Sequence, residues 1–145
     1  MRQELYNVID NLNFGEGKKM KAIIDITAIR GAITVDNDNA QEIVSATKEL
    51  MSHIAQKNNL NSPDKKIISI LISTTKDLTA TYPAATLREM GYNDAALFSS
   101  QEPDIQNSLS KCIRLMVNVA SYKDILEPKH VYLRKAQALR PDLVD

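Results

Sequence analysis

The sequence is short of several things at once. It has one cysteine, four glycines, no tryptophan and two phenylalanines in 145 residues. The lone Cys112 has no partner for an internal disulfide, which fits a reducing compartment. No run of 18 or more apolar residues exists, so no helix is expected to span a membrane. The first ten residues, MRQELYNVID, lack the apolar centre of a signal peptide. An excess of charge of either sign is also missing: 18 Lys and Arg balance 18 Asp and Glu. A nucleic-acid binder needs a basic excess to neutralise phosphates, so that class is disfavoured. Apolar residues make up 43% and charged residues 25%, an ordinary globular mixture rather than a disordered one. A chain of this length is one domain, cytoplasmic by these signs.

The search for cofactor and covalent chemistry is equally empty. There is no glycine-rich phosphate loop, no dinucleotide fingerprint and no Gly-x-Ser-x-Gly elbow. His53 and His130 have no second His or Cys at metal-ligand spacing, so no metal is expected. Cys112 sits in an apolar-flanked strand, where a cysteine is more often a small core residue than a nucleophile. If the protein is an enzyme, positioning and electrostatics are what remain to it.

What is there reads as α+β. Residues 1–19 stand apart as an extension ending in Gly15-Glu16-Gly17-Lys18-Lys19. One reading is a weakly helical or disordered extension. In another, a purine-rich ribosome-binding site can encode that run, and Met20 follows it, so 20–145 is expected to be the natural chain and its domain. Lys21 to Val35 reads as strand, break at Gly31, strand. Residues 38–57 read as one long helix, with Ile43, Ala46, Leu50, Met51 and Ile54 on its apolar face. Its start is boxed either by Asp38 with Gln41 or by Asn39 with Glu42. Lys66–Ser73 is an apolar run long enough for a strand covered on both faces. Pro83 opens a short helix and Gly91 stops it. Strands follow at 95–99, 111–119 and 130–133, then an irregular tail from Ala136. In the 111–119 strand Ile113, Leu115, Val117 and Val119 face one way, and Cys112, Arg114, Met116 and Asn118 the other. The expected architecture is a mixed sheet against one long helix. On alternation alone, Arg114 reads as a solvated strand arginine.

Four segments then stand out together: AIRGAITV (28–35), TYPAATLREMGY (81–92), KCIRLMVNV (111–119) and HVYLRKAQALRPDL (130–143). In order and spacing the sequence resembles the AroH-type chorismate mutases, from about Ala22 to Leu143. The resemblance implies a trimeric pseudo-α/β-barrel with active sites in the clefts between subunits. It implies conversion of chorismate to prephenate by a Claisen rearrangement, on the way to phenylalanine and tyrosine, with no cofactor and no metal. It implies a homotrimer, with chorismate as small-molecule partner and neither nucleic acid nor membrane.

The resemblance also assigns residues. Arg114 matches the cation beside the breaking ether bond, Arg30 a carboxylate-binding arginine, and Glu102 the acceptor for the substrate hydroxyl. Tyr132 matches a carboxylate contact and Tyr82 an aromatic wall. Arg88 and Arg140 match arginines at the site mouth, and Leu139 part of a covering tail. Phe98, Ser99, Ser100 and Gln101 fall in the substrate-binding stretch before Glu102. Two positions depart from the family pattern: Ser99 stands where a cysteine is common, and Ala85 where a lysine is familiar. Losing that lysine is expected to raise KM through weaker long-range attraction. Two other classes stay open: a non-catalytic metabolite-binding trimer, and an enamine/imine deaminase of related architecture, which would lack the HVYL…LRPDL tail.

Overall fold

The computed structural model describes residues 22–143; the reading of 1–19 as an extension lies outside them. Strand β1 runs from Asp25 to Thr34, helix α1 from Ala40 to Lys57 and β2 from Lys65 to Thr74. Helix α2 spans Pro83–Glu89, followed by β3 (Ala96–Gln101), β4 (Cys112–Ser121) and β5 (Val131–Leu133). The five strands form one mixed sheet in the order β3-β2-β4-β1-β5. β4 is antiparallel to both β1 and β2, while β5 runs parallel to β1 and β3 parallel to β2. No helix among the described residues is long and apolar enough to cross a membrane.

α1 forms where its apolar period predicts, and it buries Ile43, Ala46, Thr47, Leu50, Met51, Ile54 and Ala55 against the sheet. Of the two possible starts, the chain uses Asn39 with Glu42: the Asn39 side chain accepts from the Glu42 N–H at 2.8 Å. Asp38 is engaged elsewhere, accepting from the Thr79 and Ala80 N–H groups at 2.9 and 3.0 Å. It thereby anchors the loop that leads into α2. At the far end Asn58 ties the helix to the approach of β5, donating to Lys129 O and accepting from Lys129 N–H.

Three expectations are corrected. Gly31 does not break the first strand; β1 is continuous through it. A Cβ at Gly31 would sit 2.6 Å from Ile54 Cδ1 and 3.0 Å from Leu50 Cδ1, so the glycine permits close helix–sheet approach rather than a turn. β2 is covered on one face only: Ile70 and Ile72 are buried, whereas Leu71 is 37% exposed. The tail is not irregular but winds into two short 3-10 helices, Arg134–Leu139 and Pro141–Leu143. The first of these buries Ala136 beside Ala32, Cys112 and Tyr132, with Leu139 packed against them. It closes part of the sheet face that α1 leaves open.

Candidate active site

The site grows out of strand register. Gly31 faces α1, so its neighbours Arg30 and Ala32 point to the other face. On β4, Ile113, Leu115 and Val117 are buried with the helix, and Arg114 alternates away from them. Register then places five residues in one row across the whole sheet: Ser100 beside Ser73, Ser73 beside Arg114, Arg114 beside Ala32, and Ala32 beside Tyr132. Arg30 lies two residues along β1 from Ala32, and Glu102 follows the end of β3. These residues line a cleft of about 280 Å³ on the open face, floored by Gly31, Ala32 and Leu115.

The polar groups in the cleft are held by specific bonds. The Glu102 N–H donates to Thr74 O at 2.9 Å, which fixes its backbone to the end of β2. The Ser73 hydroxyl donates to Glu102 Oε1. Arg114 Nε lies 3.4 Å from that same oxygen, yet it is buried and without a hydrogen-bond partner. The Arg30 N–H donates to His130 Nδ1 at 3.0 Å. Burial lowers the His130 pKa from its ordinary 6.5, and the charges of Arg140 and Arg30 push the same way. Arg140 is clamped by Asp142 through two bonds of 2.8 and 2.9 Å. That pairing, and beyond it the Tyr132 hydroxyl, raises the arginine's pKa above its ordinary value. The Cys112 thiol is pushed up by burial, with the Arg114 guanidinium pulling the other way.

Of the residues singled out from sequence, Arg30, Ser100, Glu102, Arg114 and Tyr132 come together in this cleft. Arg140 lies near enough to Tyr132, which lines the cleft, for the tyrosine to add to the pKa rise that Asp142 causes. Tyr82, Ser99 and Gln101 line a second, wider cleft of about 590 Å³, which meets the first at Ile72 and Ser100. Phe98 is 65% exposed on the open face, and Arg88 is exposed on α2. Leu139 packs against the small cluster behind Tyr132. Sequence reading missed Ser73 and His130. Ser73 was visible as a polar residue on the same face as Ser69 and Leu71 in a largely apolar run. His130 had no local signal, because its partner is 100 residues away.

Two arginines, a carboxylate acceptor and a tyrosine around a compact cavity suit a small anion that also carries a hydroxyl. The fold and cleft thus define a small α+β protein with a site suited to such a ligand on the uncovered face of its sheet. Comparison with known proteins narrows this. The family model for type I chorismate mutase matches residues 26–143. The chain is 40% identical over 119 residues to the chorismate mutase AroH of Bacillus subtilis, covering 81% of this chain and 92% of that one. It is 36% identical over 120 residues to chorismate mutase AroH of Thermus thermophilus, covering 81% and 96%. A solved chorismate mutase from Clostridium thermocellum superposes with a TM-score of 0.71 at 46% identity, covering 77% of this chain and 98% of that one. The chain belongs to the type I chorismate mutase family.

Proposed function

We propose that the protein is a chorismate mutase, converting chorismate to prephenate in one intramolecular step. The ether C–O bond breaks as a C–C bond forms, so the chemistry needs neither nucleophile nor proton transfer. What it needs is a folded substrate and a cation where charge develops. Chorismate is a dianion with one hydroxyl. In this reading Arg30 and Tyr132 hold a carboxylate, and Glu102 accepts from the hydroxyl. The Arg114 guanidinium faces the ether oxygen, whose partial negative charge grows in the transition state. Arg140 and Leu139 close the mouth, and Tyr82, Arg88 and the Phe98–Gln101 strand form the far wall.

That far wall supports a second part of the reading, a homotrimer whose sites lie between subunits. Tyr82 and Ser99 open into a different cleft from Arg30 and Arg114 within one chain. The two clefts meet only at Ile72 and Ser100, and a second copy seated on the open face would bring its own wall against the first site. The exposed Phe98, Leu71 and Ile26 on the open sheet face are apolar area for such contacts. The lone, buried Cys112 is compatible with a cytoplasmic setting.

The observation that carries the catalytic reading is Arg114, set beside Glu102 with a buried and unsatisfied Nε. Loss of chorismate absorbance, with prephenate identified as product, tests the activity. Arg114→Lys keeps a charge but loses the planar fork, and kcat/KM is expected to fall by about a hundredfold or more. Near-normal turnover in that variant would refute the role. Chorismate binding without any conversion would favour the metabolite-binding alternative.

A further inference from the structure

Ser73 stands in the row across the sheet, in register with Arg114 on one side and Ser100 on the other. Its hydroxyl donates to Glu102 Oε1. The buried Arg114 Nε lies 3.4 Å from that oxygen, an ion pair without a hydrogen bond. One carboxylate oxygen therefore stands between two donors and is satisfied by the neutral one. A buried guanidinium N–H without a partner is costly, and the nearest remedy is the Glu102 carboxylate itself. The Glu102 backbone is pinned by its bond to Thr74 O, so the direction of the side chain is decided by Ser73. If Glu102 turned fully onto Arg114, a charge-assisted hydrogen bond would tighten the existing ion pair and occupy the N–H that the rearrangement needs.

We propose that Ser73 is a positioning residue, holding the Glu102 carboxylate short of a hydrogen bond to Arg114 so that the guanidinium N–H stays free for the substrate. The proposal rests on the chorismate mutase reading of Glu102 and Arg114. It makes Ser73 a determinant of turnover more than of affinity, because Arg30 and Tyr132, which hold a substrate carboxylate in that reading, are not touched by it.

The test is steady-state kinetics of Ser73→Ala and Ser73→Thr, each alone and with Glu102→Gln, alongside thermal unfolding of every variant. Ser73→Ala is expected to lower kcat by about tenfold with KM changed by less than about threefold. Ser73→Thr retains the hydroxyl and is expected to retain most of kcat. With Glu102→Gln in place there is no carboxylate to hold away, so Ser73→Ala is expected to add less than about a twofold loss. Should Ser73→Ala fail to fold, Ser73→Cys, with its weaker donor, is read in its place. A wild-type kcat in the Ala variant, a pure KM effect, or losses that multiply with Glu102→Gln would each overturn the proposal. If Glu102→Gln and Arg114→Lys themselves turn over normally, the site reading fails instead. If those two are impaired and Ser73→Ala is not, only the role of Ser73 falls.

Discussion

His130 is tied to the Arg30 backbone and feels the charges of Arg30 and Arg140. Its Nδ1 accepts from the Arg30 N–H, so in the neutral ring the proton sits on Nε2. Burial holds the ring neutral, and Arg140 and Arg30 oppose a third positive charge beside them. A histidine whose folded pKa is lowered contributes stability that is present above its unfolded value and lost as pH falls through the folded one. Urea or thermal unfolding is therefore expected to show stability dropping as pH goes below 6.5. In His130→Asn, which keeps an acceptor but cannot titrate, that slope is expected to shrink. An unchanged slope would assign the titration to another group. Cys112 shows the opposite case, a residue whose character was legible locally. Its apolar flanks read as core, and it is buried. Its raised pKa keeps it a thiol, the less reactive form.

At the scale of the elements, α1 and β1 teach different lessons. Helical period and an Asx cap are local properties, so α1 was legible nearly to the residue, including the Glu42 carboxyl in its box. Hydrogen bonds led by that of the Asn37 side chain hold this group at about 2, well below its ordinary 4.5. Which of two boxes forms was not local, because Asp38 is claimed by Thr79 and Ala80 from another part of the chain. Gly31 misled for the same reason. A glycine inside a strand pattern reads as a break, whereas here it clears space for Ile54 and Leu50 of the helix above. Gly31→Ala is expected to cost about 1–3 kcal/mol of stability by overpacking. The cost is expected to be smaller when Ile54→Val has removed the Cδ1 atom in the way, which urea unfolding of the double variant would read. Equal costs in both backgrounds would mean that the strain lies elsewhere.

For the whole molecule, the open sheet face is the feature to explain. α1 covers one side of the sheet, and the C-terminal 3-10 helix covers part of the other. Ile26 remains 63% exposed and Phe98 65% exposed on the uncovered part. Apolar area of this kind is expected to be buried against other copies of the chain. Ile26→Glu, outside both clefts, is expected to shift the assembly toward monomer in light scattering. It is also expected to make specific activity fall as the protein is diluted. A trimer that survives this change, or a wild-type protein that is monomeric, would remove the oligomeric part of the proposal.

The sequence by itself determined what depends on near neighbours. It set the helix and its apolar stripe, the alternation that turns Arg114 away from Ile113 and Leu115, and the motifs that mark the family. The first two follow from periods of 3.6 and 2, which a chain carries locally, and the motifs from resemblance to the family. Only the tertiary structure decided which residues lie side by side. Strand order and register bring Ser100, Ser73, Arg114, Ala32 and Tyr132 into one row, and a slip of one residue would turn any of them to the other face. Register is set by contacts between strands far apart in the chain. That is why the resemblance could name the arginines in advance, while Ser73 beside them showed itself only in the register.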